Sequence, residues 1–145
     1  MGTREEAVVV DFLERLHDLE QPDLTVALAG FAEDATYQTL VPARAPMRGR
    51  AAIQAELEQQ FTRYKECVCE ILAMASNDRY VFTERRDHVS MLAFDKRIFS
   101  SVYAVFEFGA DGRIVSWREY WDTGDIATQL GLDAEEMRRL HGVDS

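Results

Sequence analysis

The first part of the chain repeats its apolar residues at steps of three and four, the spacing of one face of an α-helix. Within residues 5–19 this stripe is formed by Val8, Val9, Phe12, Leu13, Leu16 and Leu19. A second, shorter helix is predicted from Pro22, a favoured first-turn residue, to Phe31, and the residues 32–34 end it. A third helix is predicted over residues 49–64, with its apolar stripe formed by Ile53, Leu57, Phe61 and Tyr64.

From residue 66 onward the chain is rich in β-branched and aromatic residues, as strands are. Long strands are predicted over residues 66–75, 81–92, 98–109 and 113–122, with a short one over residues 36–41. Two short helical pieces around Gly131 are expected to follow, the second one starting at residues 133–136. This order predicts an α+β fold for residues 1–145. Helices would cover the mouth of a curved antiparallel sheet, which forms a cone around an apolar pocket.

Composition narrows the class of partner. A chain of 145 residues with 47% hydrophobic content fits one domain, and its formal net charge of -10 argues against nucleic acid and anionic membrane surfaces. No stretch of about 18 apolar residues occurs, so we expect a cytoplasmic protein whose ligand is small and either uncharged or cationic. The spacing of Cys67 and Cys69 places both on one face of a strand and predicts reduced thiols.

The strand predicted over residues 81–92 carries charge in the middle of an apolar face. Alternation places on this face the side chains of Val81, Thr83, Arg85, Asp87, Val89 and Met91. Burying charge costs free energy unless it is paired, and perturbed charged groups are enriched at functional sites. Arg85 and Asp87 are therefore candidate site residues. His88 points to the other face, which argues against a dyad with Asp87.

The last predicted strand has a similar anomaly. Alternation places Val115, Trp117, Glu119 and Trp121 on one face, so a carboxylate stands between two indoles. If the charged faces of the two strands line one pocket, Arg85 can hydrogen-bond to the carboxylates of both Asp87 and Glu119. Two carboxyl groups joined in this way can act as a general acid and a general base.

Structural alternatives stand beside these interpretations. Arg85 and Asp87 are also consistent with a structural ion pair, and Glu119 with a carboxylate at the rim of the sheet. Tyr37 fits a core tyrosine as well as a catalytic one, and Thr39 fits simple pocket lining. His17 and His141 are interpreted as solvated side chains.

Three stretches, over residues 31–38, 83–87 and 117–122, resemble the limonene-1,2-epoxide hydrolase family of the SnoaL-like/NTF2-like superfamily. The resemblance runs from the first helix to about Asp122 and is weakest over residues 42–50. It implies a cone-shaped curved sheet with a helical cover. It also implies a homodimer that pairs through the outer sheet face, on which Arg118, Tyr120 and Asp122 are expected.

The resemblance also implies roles for individual residues. Arg85 would bridge the two carboxyl groups, Asp87 would protonate the epoxide oxygen, and Glu119 would take a proton from water. Tyr37 matches a tyrosine that holds the water, while Thr39 stands where the family has an asparagine. A glutamate at position 119, where the family has an aspartate, and Thr39 are both departures at the water site.

The function expected from these residues is the opening of a small hydrophobic epoxide by water to give a diol, without a metal or an organic cofactor. The apolar wall of the pocket is predicted to be formed by Trp117, Trp121, Met91 and Val89. Two other activities would use the same pocket, an epoxide-opening cyclase and a ketosteroid-isomerase-like isomerase. A domain that only binds a small molecule is the third alternative. A cavity that holds Arg85, Asp87 and Glu119 within hydrogen-bond distance of one another would favour an enzyme.

Overall fold

The structure, a computed structural model, describes residues 3–17, 22–39 and 44–140, in which it has five α-helices and a six-stranded sheet. The helices are α1 (Thr3–Leu16), α2 (Leu24–Ala27), α3 (Arg50–Gln60), α4 (Thr123–Leu130) and α5 (Ala134–Leu140). The strands are β1 (Phe31–Thr39), β2 (Met47–Arg48), β3 (Tyr64–Ser76), β4 (Tyr80–Met91), β5 (Lys96–Phe108) and β6 (Ile114–Trp121). The α+β class predicted from the sequence is confirmed.

The strands lie in the order β2-β1-β6-β5-β4-β3. Strands β3 to β6 form the predicted antiparallel meander, but β1 lies parallel to β6, with Tyr37 opposite Trp117 and Thr39 opposite Glu119. The sheet is therefore mixed, whereas the sequence predicted an antiparallel one. Register shifts interrupt β3 on either side of Val68, and bulges of this kind bend and twist a strand. The curved sheet wraps its inner face around the helices and the site.

Two boundaries differ from the prediction. Phe31 belongs to β1 and not to the second helix, and β1 continues through residues 32–34, which were predicted to end that helix, because Phe31 is fully buried and pairs with Ile114 of β6. Tyr64 starts β3 instead of ending α3, although it continues the apolar stripe of that helix. In both cases tertiary packing overrides the local pattern. The predictions for Leu19, residues 40–41 and His141 lie outside the described residues.

The helices cover the inner face of the sheet in two groups. The amphipathic prediction for α1 is confirmed by its buried residues Val9, Phe12, Leu13 and Leu16. The Phe12 ring lies 4.8 Å from that of Phe31 and 5.0 Å from that of Trp117, measured between centroids. Helices α4 and α5 are separated by Gly131, whose φ of 72° closes the end of α4 in a left-handed conformation that favours glycine. In the part of the chain that the structure describes, no helix could cross a membrane.

The inner face divides into two apolar clusters with charged residues between them. Val81 packs in the cluster under α1, α2 and α3, and Val89 in the cluster under α4 and α5. Arg85 lies between these two positions along β4. The fold therefore surrounds this guanidinium with apolar side chains, where electrostatic interactions are stronger than in water.

Candidate functional site

Arg85 bridges the two predicted carboxylates. Its Nη1 lies 2.6 Å from Oε1 of Glu119, and its Nη2 and Nε lie 3.0 Å and 3.3 Å from Oδ2 and Oδ1 of Asp87. Arg85 is 2% exposed and Glu119 3% exposed. The strand alternation explains this geometry, because β5 lies between β4 and β6 and the three side chains share the inner face. The structure thus brings together the three residues that the sequence singled out.

Asp87 is the carboxylate of this group that lines the cavity. Burial raises the pKa of its carboxyl group, but Arg85 outweighs burial through its charge and its hydrogen bonds, so the pKa lies below its ordinary value. The Cys69 thiol, directly across from Asp87 on β3, also hydrogen-bonds to it. Asp87 is therefore ionised at neutral pH.

Glu119 lies beneath the cavity, and its two oxygens differ: Oε1 forms an ion pair with Arg85 but, among the described residues, has no hydrogen-bond partner. Oε2 accepts a hydrogen bond of 3.1 Å from the indole Nε1 of Trp121. The predicted placement of Glu119 between two tryptophans is confirmed. Trp121 thus lines the cavity and also hydrogen-bonds to Glu119.

Tyr37 and Thr39 lie on β1 beside Glu119. Both are buried, with Thr39 directly opposite Glu119 in the parallel pairing. The Gln60 amide donates a hydrogen bond of 3.3 Å to the hydroxyl of Tyr37. Burial raises the pKa of the Tyr37 phenol far above its usual value and Glu119 raises it further, while Gln60 and Thr39 oppose this. The phenol is therefore neutral and can donate a hydrogen bond.

The cavity extends from Asp87 towards α4 and α5. Its volume is about 70 Å³. Its wall includes Tyr64, Cys67, Val89, Met91, Ile98, Ser100, Val102, Trp121 and Ile126. Among the described residues, Ser100 Oγ is buried without a hydrogen-bond partner. The wall is mainly apolar and includes three of the predicted wall residues, Val89, Met91 and Trp121.

Trp117 lies in the core and not in the wall of this cavity. Its ring stacks between those of Tyr37 and Phe106, at centroid distances of 4.0 Å and 5.9 Å, and it is 1% exposed. Trp117 was predicted to line the pocket, but it packs against the Tyr37 ring instead and does not line this cavity. At the start of β6, a register shift buries Ile114 in place of Val115, which corrects the predicted alternation there.

His17 is a site residue that the sequence interpretation missed. It was expected to be solvated, yet its side chain is 7% exposed and its Nε2 lies 3.9 Å from Oδ2 of Asp87. Its Nδ1 lies 2.8 Å from the carbonyl oxygen of Leu13. The signal available in the sequence is that His17 follows Leu13 by four residues, on the buried stripe of α1.

Gln60 was also missed. It is the last residue of α3 and is 4% exposed. Because it lines the cavity and contacts Tyr37, it is a part of the site. A glutamine near a helix end is typical of a solvated position. Gln60 continues the buried positions of Ile53 and Leu57 by one turn, which is the only sequence signal for its burial.

The ligand-type atoms of His17, Cys67 and Asp87 lie within 4.8 Å of one another. Arg85 already occupies both oxygens of Asp87 and adds a positive charge that opposes a second cation. Burial raises the pKa of the Cys67 thiol far above its usual value, so the thiolate that a metal requires is disfavoured. The chemistry of these three residues therefore does not favour a metal ion.

The charges of the site do not balance without a proton. Arg85 contributes one positive charge, whereas Asp87 and Glu119 contribute two negative charges when both are ionised. One bound proton would make the buried group neutral, and in coupled sites such a proton belongs to the group as a whole. The arrangement can therefore accept a proton at one carboxylate while the other keeps its charge.

Known proteins share the fold of this chain. The family model of the SnoaL-like domain matches residues 9–117. An LEH-like epoxide hydrolase from M. tuberculosis is 27% identical to the chain, with a TM-score of 0.69 over 86% of each chain. The epoxide hydrolase/cyclase-like enzyme SalBIII, described in pyran ring formation in polyether salinomycin, is 19% identical, with a TM-score of 0.71 over 86% of this chain and 97% of that one.

A third solved structure is similar in fold. It is a hypothetical protein with a ketosteroid isomerase-like fold from Catenulispora acidiphila, in complex with trimethylamine. Its identity is 16% and its TM-score 0.75, over 88% of this chain and 94% of that chain. The fold is thus the NTF2-like, ketosteroid isomerase-like one that the sequence resemblance implied.

Proposed function

This chain belongs to the SnoaL-like domain family, and on that premise we propose that it is an epoxide hydrolase that opens a small hydrophobic epoxide with water. The observation that carries the proposal is the buried Arg85 bridge between two carboxylates, of which Asp87 faces an apolar cavity. A buried ion pair is a weak source of stability, so a charged group held among apolar side chains needs another reason. Acid and base catalysis supplies one.

The proposed reaction is a single step. Glu119 takes a proton from water, the water oxygen bonds to an epoxide carbon, and the carbon–oxygen bond of the ring breaks. Asp87 gives a proton to the released oxygen, so a diol forms and no covalent enzyme intermediate is needed. Arg85 holds both carboxyl groups in position throughout.

Tyr37, Thr39 and Gln60 support a water site beside Glu119. Thr39 lies opposite Glu119, and the neutral Tyr37 phenol is available as a donor. The limonene-1,2-epoxide hydrolase family, which the sequence resembles, uses an asparagine amide where this chain has Thr39. Gln60 brings an amide to the same place from α3, through its hydrogen bond to Tyr37. We propose that Gln60 provides the amide that Thr39 lacks.

The ionised state of the Asp87 carboxyl group favours a second candidate function, that of a proton-shuttling isomerase. An ionised carboxylate in an apolar cavity can remove a proton next to a carbonyl group. Tyr64 lines the same cavity, and burial raises its pKa well above the ordinary value, so its phenol stays protonated and can donate to the carbonyl oxygen. An isomer of a small ketone as product, instead of a diol, would identify this activity.

The test of the hydrolase is diol formation from small cyclic epoxides by the wild type and by Asp87→Asn. We expect the rate to fall by about a hundredfold or more in the variant, because the amide cannot supply the proton to the leaving oxygen. Asp34→Asn, at an exposed position of β1, is the matched control and should keep the wild-type rate.

Two outcomes would contradict the proposal. Equal rates in the wild type and Asp87→Asn would remove the role of Asp87. Binding of epoxides without turnover, measured by calorimetry on the wild type, would identify a binding protein instead of an enzyme.

A further inference from the structure

His17 faces the acid of the proposed reaction from the end of α1. Its Nε2 lies 3.9 Å from Oδ2 of Asp87, and the two side chains are 7% and 13% exposed. This separation is longer than a hydrogen bond. The two atoms nevertheless lie close together inside the protein, and the same Oδ2 also accepts a hydrogen bond of 3.0 Å from Nη2 of Arg85.

The contact with Leu13 determines which nitrogen of His17 carries a proton. A carbonyl oxygen can only accept, so Nδ1, at 2.8 Å from the Leu13 oxygen, must be protonated and donate to it. In the neutral ring Nε2 is then an acceptor. Asp87 Oδ2 is an acceptor as well when the carboxyl group is ionised, and two facing acceptors stay apart unless a proton lies between them. The distance of 3.9 Å agrees with the unprotonated pair.

We propose that His17 is a positioning residue that supplies a proton to Asp87: Nε2 takes up a proton from solvent and passes it to Oδ2, and this proton recharges the acid in each turnover. The proposal rests on the epoxide hydrolase function given above. It assigns His17 no contact with the substrate, and it acts only through Asp87.

The surface cavity behind His17 gives this proton a route that avoids the substrate. This second cavity has a volume of about 520 Å³, and His17 lines it. Exposed residues form its outer wall, among them Thr25, Glu58, Thr62, Lys65 and Glu66. Tyr64 and Cys67 line both cavities, so they form the partition between them. Water in the surface cavity can therefore protonate His17 while the substrate cavity is occupied.

The electrostatic surroundings keep the imidazole neutral at rest. Burial lowers the pKa of His17 and Arg85 of β4 lowers it further, whereas Asp87 of β4, Glu119 of β6 and the Leu13 carbonyl group raise it. From β3, Cys67 lies near the ring as a neutral group, because burial raises the pKa of its thiol, and Tyr64, which lines the same surface cavity, is neutral for the same reason. A ring of this kind is a strong acid once protonated, which suits a donor to an ionised carboxylate.

The proton balance of one turnover is closed. The N–H bond at Nε2 of His17 breaks and an O–H bond forms at Oδ2 of Asp87. Asp87 then passes a proton to the epoxide oxygen, while Glu119 takes one from the attacking water. Glu119 returns its proton to solvent, and water in the surface cavity returns one to Nε2, so no other reactant is consumed.

The kinetic test is the pH profile of kcat for His17→Gln. Without the imidazole, Asp87 must take up its proton alone, and Arg85 makes that difficult except at low pH. We expect the alkaline limb of the profile to move by about one pH unit to lower pH, which is about tenfold in kcat on that limb, with KM unchanged. His88→Gln is the matched control, since His88 also lies near a carboxylate, 3.8 Å from Glu70, but on the other face of β4. A uniform loss at every pH would indicate a structural role and overturn the proposal.

An independent test needs no activity and no variant of His17. The ¹⁵N resonances of the imidazole should show a proton on Nδ1 at neutral pH, and the titration of His17 should move to lower pH in Asp87→Asn, because the charge of Asp87 raises its pKa. An unchanged titration would overturn the proposal even if diol formation is found. A wild type that forms no diol but shows this coupling would contradict the hydrolase function and leave the proton pair established.

Discussion

Arg85 is a buried cation with a carboxylate on each side, and its surroundings are apolar along both directions of β4. Replacing such an ion network by apolar residues is often neutral or stabilising by about 1–4 kcal/mol, so stability alone does not account for it. The same network holds the proposed acid and base in one geometry. Trp121 hydrogen-bonds to the Glu119 carboxylate and the Cys69 thiol to that of Asp87.

Gln60 provides a prediction at this scale. Gln60→Leu removes the amide that contacts Tyr37 and leaves a buried phenol without this partner. We expect kcat/KM for the epoxide to fall by about tenfold or more, because an unmade buried hydrogen bond costs roughly 1–3 kcal/mol.

Gln59→Leu is the control for that variant, since Gln59 is the exposed neighbour of Gln60 on α3. Thermal melting of both proteins separates a loss of the water site from a loss of folding. A Gln60→Leu enzyme with wild-type kcat/KM would show that this amide plays no part in holding the water.

Alternation along strands was enough to identify Arg85, Asp87 and Glu119 from the sequence, because charge in an apolar stripe is visible in one strand at a time. His17 and Gln60 were not identified. Each is a polar residue at the end of an amphipathic helix, where solvation is the usual outcome. Their burial depends on which strand the helix end meets, and that contact is a property of the tertiary structure.

At the scale of the elements, the meander of β3 to β6 was predictable because turn residues and strand composition mark it locally. The parallel pairing of β1 with β6 was not, since it joins residues about 80 positions apart and brings Thr39 next to Glu119. The start of β1 was assigned to a helix for the same reason: the partner of Phe31 lies on β6.

The outer face of the sheet carries a prediction of its own, the proposed homodimer. Large apolar side chains are exposed there on three adjacent strands: Val68, Leu72, Phe82, Phe99 and Tyr103. Phe82 and Tyr103 line one groove on this face, and exposed apolar surface of this kind is typical of an interaction site. We expect light scattering to give about 33.2 kDa for the wild type, twice the 16.6 kDa of one chain. The measured mass of the Tyr103→Glu variant should be that of one chain, because the substitution puts a charge into the apolar interface.

Leu92→Glu is the control for the dimer, because Leu92 is as exposed as Phe82 but lies in the turn after β4 and off the sheet face. It should leave the mass unchanged. A wild type with the mass of a single chain would contradict the dimer.

At the scale of the whole molecule, the fold places Arg85 and its two carboxylates between two apolar clusters. Two cavities reach this charged group from different sides. The substrate cavity reaches Asp87 from the side of α4 and α5. The surface cavity reaches His17 from the side of α1, α2 and α3. Substrate and protons can therefore approach the same carboxylate from different directions.

The central claim is that water attacks the epoxide directly, with Glu119 as base and Asp87 as acid. A single turnover in H₂¹⁸O, with enzyme in excess over a small cyclic epoxide, tests it most directly. The account predicts that the diol of this first turnover carries one ¹⁸O atom and that the carboxylates of Asp87 and Glu119 carry none. An unlabelled first diol, with ¹⁸O found later in one of these carboxylates, would show a covalent intermediate and contradict the account, as would the absence of any diol.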